Sequence, residues 1–204
     1  MQGPRRLEFG FGPQTHRSRA NEVVFFALKP PRPEMFALAR LGSDIAQSEG
    51  LTAQFHPPHR LHLSLVGWRL DDRTREQGIA AARELGCRIV WPTFQVILSA
   101  AMSFGRSGSR PLVLCGSPGT AWALTGLHDR LLETAAALGL GLQGRTAFEP
   151  HVTLAYSRAA IAERFLDAPI GWTAKDLVLI LSQQGRGRHI ELGRWPFLPP
   201  AAKG

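Results

Sequence analysis

The stretch RLHLSLVGW, residues 60–68, sets His62 and Ser64 between Leu61, Leu63 and Leu65. Alternation with a period of two marks a strand with one face buried. Leu61, Leu63 and Leu65 then share the buried face, and His62 and Ser64 project together from the other. One such strand fits a histidine that merely faces water.

About ninety residues on, the chain repeats the device. In HVTLAY, residues 151–156, His151 and Thr153 share one face, and Val152, Leu154 and Tyr156 share the other. His16-Arg17-Ser18 also matches histidine-x-hydroxyl, but it lies in a polar segment without strand character. Requiring apolar residues at the second and fourth positions leaves only the copies at His62 and His151. The second copy turns the reading from a solvated surface towards a site.

Working outward, NEVVFFALKPP (21–31) reads as a strand closed by prolines. Met35, Leu38, Leu41 and Ile45 form a helical stripe that ends at Gly50. HPPHR (56–60) is a turn. Residues 75–86 form an alanine-rich helix, 88–104 contain a strand with Pro92 near its start, and 105–111 form a hairpin loop. Residues 111–116 form a short strand, and 120–141 the longest helix. Residues 148–157 form the second histidine strand, and 176–197 a closing hairpin around QQGRGR. Helices and strands interleave, while the paired strands and hairpins favour antiparallel pairing. The fold class is therefore α+β, with two similar halves that each contribute one histidine strand.

The chain has 204 residues, of which 44% are hydrophobic and 20% charged, a globular composition. No apolar run approaches the roughly 20 residues of a membrane span. The first residues contain Arg5 and Arg6 but no apolar signal region. We read 1–21 as a flexible extension and 22–204 as a single bilobal domain, monomeric and cytoplasmic. Cys87 and Cys115 are expected as buried, reduced thiols. The net charge is +8, and lysine occurs only at 29, 175 and 203, so arginine supplies most of the positive charge. The arginine fork suits phosphate oxygens, so an anionic partner such as nucleic acid fits. Coding bias towards arginine fits as well.

Histidine exchanges a proton near neutral pH. Two histidines flanking a phosphodiester can divide the work, one taking a proton from the nucleophile and the other protonating the leaving oxygen. A hydroxyl two residues along the same face can donate to a non-bridging oxygen as charge develops. The scheme requires neither metal nor cofactor. We assign His62 as acid and His151 as base, with Ser64 and Thr153 on the phosphate; the near-symmetry of the two motifs leaves the acid and base interchangeable.

HLSL (62–65) and HVTL (151–154) resemble the paired motifs of the two-histidine (2H) phosphoesterase superfamily, in its branch of 2'-5' RNA ligase-like RNA 2',3'-cyclic phosphodiesterases. The resemblance runs over residues 22–197 in element order. It implies a bilobal α+β fold in which two antiparallel sheets, flanked by helices, surround a central cleft with the motifs facing each other. It also implies opening of RNA 2',3'-cyclic phosphate ends to 2'-phosphates, with reversible 2'-5' ligation in some members. The partner would then be RNA or a nucleotide with a cyclic phosphate end. A 2H esterase for a small cyclic phosphate, or a non-catalytic RNA-binding protein using the same cleft, are the alternative readings. Ser64 stands where many members have threonine. Tyr156 stands where many have a basic residue, with Arg158 two places on, and VGW replaces a commoner aromatic-Leu-Gly ending.

Phe148, just ahead of the second motif, is a candidate for stacking on a base, and Arg158 for holding substrate. Tyr156 falls on the core face unless the strand bulges, and Trp68 fits either face. His56, His59 and His62 are spaced by three, but two prolines keep them off a common helix face, which argues against a metal site. His128 reads as a surface residue of the long helix. His189, with Arg186 and Arg188, fits either a solvated turn or a loop that reaches phosphates. Gly139 to Gly144 matches GxGxxG, but after a helix, so it reads as a helix terminus.

Overall fold

The structure is a computed structural model that describes residues 22–71, 73–105, 108–140, 142, 148–183 and 185–199. The expected extension, 1–21, lies outside the described residues, as do residues 141, 143 and 144 of the Gly139–Gly144 segment.

Nine strands and three helices are described: β1 Glu22–Leu28, α1 Arg32–Ser48, β2 Ala53–Phe55, β3 Leu63–Arg69, α2 Arg75–Cys87, β4 Phe94–Ser103, β5 Arg110–Gly116, α3 Pro118–Ala137, β6 His151–Ser157, β7 Arg164–Ala174, β8 Asp176–Gln183 and β9 Arg188–Pro196. The strand order is β7-β4-β5-β6-β3-β1-β8-β9, with β2 on β6. Every pairing between these strands is antiparallel.

β3 and β6, the two histidine strands, adjoin through one register pair, Leu63 opposite Val152. The sheet therefore divides there into two four-stranded halves, β3-β1-β8-β9 and β7-β4-β5-β6. The two expected sheets are thus the two halves of one nine-stranded sheet, joined at this seam.

One apolar core underlies both halves. Phe26, Leu63, Val152 and Leu177 of the strands join Leu38, Leu85 and Leu127 of the three helices. The opposite face carries two smaller clusters with no helix residue, Phe25, Ala27, Val178 and Ile180 in one half, and Phe104, Val113 and Cys115 in the other. The helices thus cover one face and leave the other open.

Prolines sit where a helix tolerates them, in the first turns of α1 and α3. Ser117 caps α3, its side chain accepting from the Thr120 N–H. β2 and β7 were not expected. β7 is an edge strand with a mostly exposed pattern, and its pairing with β4 skips from Ile170 to Phe165, a break that accommodates Pro169. Both departures hide the period-two signal.

Each histidine strand carries a bulge. Between Ser64 and Gly67, β3 has one residue more than β1, and Leu65 and Val66 are both buried. In β6, Leu154 is the extra residue against β5, and Leu154 and Ala155 both reach the core. A bulge flips the alternation beyond it. Tyr156 therefore leaves the core face expected for it; it is 39% exposed and meets His56 edge-on. Trp68 turns inward beside Phe26.

Candidate active site

His62 sits one residue ahead of β3. Pro57 and Pro58 start a 3-10 turn through Arg60, closed by the Leu61 N–H on the Pro58 carbonyl. The turn aims the Arg60 carbonyl back at His62, whose Nδ1 lies 2.7 Å from it. A carbonyl can only accept, so Nδ1 carries the hydrogen and Nε2 is the titrating nitrogen.

His151 opens β6 after Pro150, and its Nδ1 lies 2.7 Å from the Glu149 carbonyl. The same argument fixes the same tautomer. In both cases the accepting carbonyl belongs to the residue two positions upstream. A phenylalanine ring backs each imidazole, Phe25 at 4.9 Å from His62 and Phe104 at 4.9 Å from His151.

The hydroxyls follow from register. Ser64 pairs with Ala27 and Thr153 with Val113, both members of the open-face clusters. His62, Ser64, His151 and Thr153 thus gather on the helix-free face, on either side of the Leu63–Val152 seam. Their four apolar neighbours Leu61, Leu63, Val152 and Leu154 lie in the main core.

A cavity of about 480 Å3 opens beside His62, lined by Lys29, Arg60, Arg186, Arg188, His189 and Glu191 among others. The His189 ring stands 5.3 Å from that of His62. β1 and β8 separate β3 from β9, a span of about 14 Å in a flat sheet, so the sheet curls over its open face here.

Burial pushes the His62 imidazolium down to about 4, and repulsion from His56, His151 and Arg60 adds to the shift. The Arg60 carbonyl opposes it without prevailing. His189 falls to about 3, through burial first and then His62 and Arg60. Burial also lowers His151, against the pull of the Glu149 carbonyl. At neutral pH the free protein holds these three rings neutral.

Phe148 and Arg158 lie elsewhere. Phe148 stacks on His128 at 4.4 Å and packs against the main core. His128, expected at the surface, is 6% exposed, because it shares the buried α3 stripe with Leu124, Leu127 and Leu131. Arg158 follows the far end of β6, roughly 20 Å from His151 along such a strand. The cations near the histidines come instead from Arg60, Lys29 and the β8–β9 loop. Arg60 and Lys29 carried no periodic signal in the sequence.

The spaced histidines diverge, His56 onto Tyr156 and His62 onto Phe25 and His189. Cys115 is buried as expected. Cys87 is not: it ends α2 exposed, with Sγ accepting from Trp195 Nε1. Neither cysteine is in a disulfide. No described helix is long and apolar enough to cross a membrane.

Two histidine-hydroxyl strands meeting on one face of an antiparallel sheet are the framework of a two-histidine phosphoesterase. The chain belongs to the 2'-5' RNA ligase superfamily, whose family profile matches residues 20–186. The apo structure of E. coli LigT aligns with a TM-score of 0.67 at 23% identity, over 88% of this chain and 99% of that one. TT0787 of Thermus thermophilus aligns with a TM-score of 0.61 at 20% identity, over 85% and 97%. E. coli LigT has also been solved with 3'-AMP, a structure 24% identical to this chain with a TM-score of 0.67 over 87% and 98%. At these identities the likeness establishes the fold. No curated protein sequence matches the chain.

Proposed function

We propose that the protein opens RNA 2',3'-cyclic phosphate ends to 2'-phosphates without a metal, and can join a 5'-hydroxyl end to the same phosphate through a 2'-5' bond. One observation carries this reading: two imidazoles of the same tautomer, each pinned through Nδ1 to a backbone carbonyl, flank one seam on the open face. Pinning orients each Nε2 for proton transfer without spending side-chain entropy at the moment of reaction.

In hydrolysis, His151 Nε2 takes a proton from water as its oxygen attacks phosphorus. The bond from phosphorus to the 3' oxygen breaks, and protonated His62 gives that oxygen its proton. The 2'-phosphate remains. In joining, a 5'-hydroxyl replaces the water. Ser64 and Thr153 donate to the non-bridging oxygens. Both histidines are neutral in the free protein, so the acid gains its proton as the phosphate anion binds and raises its affinity for one. That E. coli LigT has been solved with phosphate and with 3'-AMP is compatible with this reading.

The test is an oligonucleotide ending in a 2',3'-cyclic phosphate, incubated with excess chelator and followed by product identification. The 2'-phosphate is expected at an undiminished rate. His62→Ala and His151→Ala should each slow the reaction at least about 100-fold. Loss of activity on chelation, or full activity in either variant, would refute the mechanism. Tight RNA binding with no product would favour the binding-protein reading.

A further inference from the structure

The open face differs chemically on the two sides of the seam. Beside His151 the described residues are mainly apolar, Phe104, Val113 and Cys115 clustering with Met102, and the charges that reach Cys115 are the carboxylates Glu149 and Glu163. Beside His62 the cavity gathers Lys29, Arg60, Arg186 and Arg188 around a single carboxylate, Glu191. Glu191 is already engaged, accepting from Arg194 Nε and Nη2 at 2.9 Å each, with Lys29 Nζ at 4.0 Å. Among the described residues Arg60, Arg186 and Arg188 form no salt bridge, and the buried Arg60 Nε finds no hydrogen-bond partner. A buried guanidinium N–H without an acceptor is costly unless a ligand supplies one.

The loop that brings the arginines is shaped for this place. Gly185 and Gly187 take φ values of 81° and 60°, which favour glycine. A side chain at Gly187 would begin 3.5 Å from Arg60 Nη1, so the turn closes directly over that guanidinium. His189 continues from the loop to within 5.3 Å of His62. An anion in the cavity therefore neighbours one held between His62 and His151.

We propose that this cavity is a second phosphate pocket, which holds the phosphodiester adjoining the cyclic phosphate and makes an oligonucleotide end the preferred substrate over a mononucleotide. The proposal rests on reading His62 and His151 as the phosphate-transfer pair. Arginine forks grip the two non-bridging oxygens of a diester, and the neutral His189 ring adds a donor. Among the described residues the floor beside His151 offers no such grip, so the strand's phosphates run towards β9.

Two dinucleotides with cyclic phosphate ends test this, one with an ordinary phosphodiester and one with an uncharged methylphosphonate linkage. The same pair with 3'-phosphate ends, which have no ring to open, reports binding by calorimetry. The charged linkage is expected to lower KM and Kd at least about 10-fold. The double variant Arg186→Ala, Arg188→Ala should abolish that gap, and Arg186→Glu, Arg188→Glu should reverse it. Equal affinity for both linkages in the unaltered protein overturns the pocket while leaving the hydrolase reading intact. A gap that persists in the double variants also overturns it. Preference for the charged linkage with no ring opening upholds the pocket and refutes the hydrolase reading.

Discussion

At the scale of single residues, the imidazoles of His62 and His189 show what burial does to a proton. The fold lowers them to about 4 and about 3, so between those values and the ordinary 6.5 the unfolded chain binds protons that the folded chain refuses. Their contribution to stability is complete above about pH 6.5 and is lost as pH falls through 4 and then 3. His56 and His151 are shifted in the same direction. Glu22, held below its ordinary 4.5 mainly by Arg75, adds acid sensitivity only at lower pH. The melting temperature should therefore fall from pH 6.5 to pH 5. His189→Phe, which keeps a ring beside Phe25 and His62, should flatten that fall. Thermal unfolding across this window measures it, and an unchanged slope in the variant would mean that His189 is not kept neutral by the fold.

At the scale of elements, the two bulges decide what the histidine strands present. Strict alternation gave the facing of His62, Ser64, His151 and Thr153 because all four precede the bulges. It failed at Tyr156 because Leu154 is the inserted residue, and nothing in HVTLAYS marks that insertion. The matching position in β3 is Gly67, where a Cβ would lie 2.5 Å from Phe25 Cβ and 3.0 Å from the Val24 carbonyl oxygen. The neighbours are backbone and the root of a side chain, so neither can swing away. Gly67→Ala should destabilise the protein by about 1–3 kcal/mol in urea unfolding. Because Phe25 backs His62, the variant should also lower kcat. Unfolding at the original urea midpoint would show that β3 and β1 separate here without strain.

At the scale of the whole molecule, the seam between the half-sheets sets the distance between the two catalytic candidates. Leu63 and Val152 are fully buried, and their pair is the link between β3 and β6. Leu63→Ala should cost about 2–5 kcal/mol and reduce kcat below what thermal loss accounts for. Leu85→Ala, buried on α2, which packs on β8 and β9, should cost as much stability and spare kcat at a temperature where both variants stay folded. Stability curves with kcat measured at that temperature separate the two, and equal kcat in both would show that the seam does not position the pair.

The sequence by itself determined that His62, Ser64, His151 and Thr153, the four candidate residues, share a face with their strand partners, along with the α+β class and most of the elements, because period-two alternation and glycine or proline punctuation are local properties of the chain. It did not disclose β7, whose edge position removes the apolar pattern, or the burial of His128. Nor did it assign His189 and Arg186, which stand more than a hundred residues from His62 and fit a solvated turn equally well. Only the strand order β3-β1-β8-β9 and the curl of that half-sheet bring them to His62, since a contact between distant segments depends on pairing and curvature that no local pattern records.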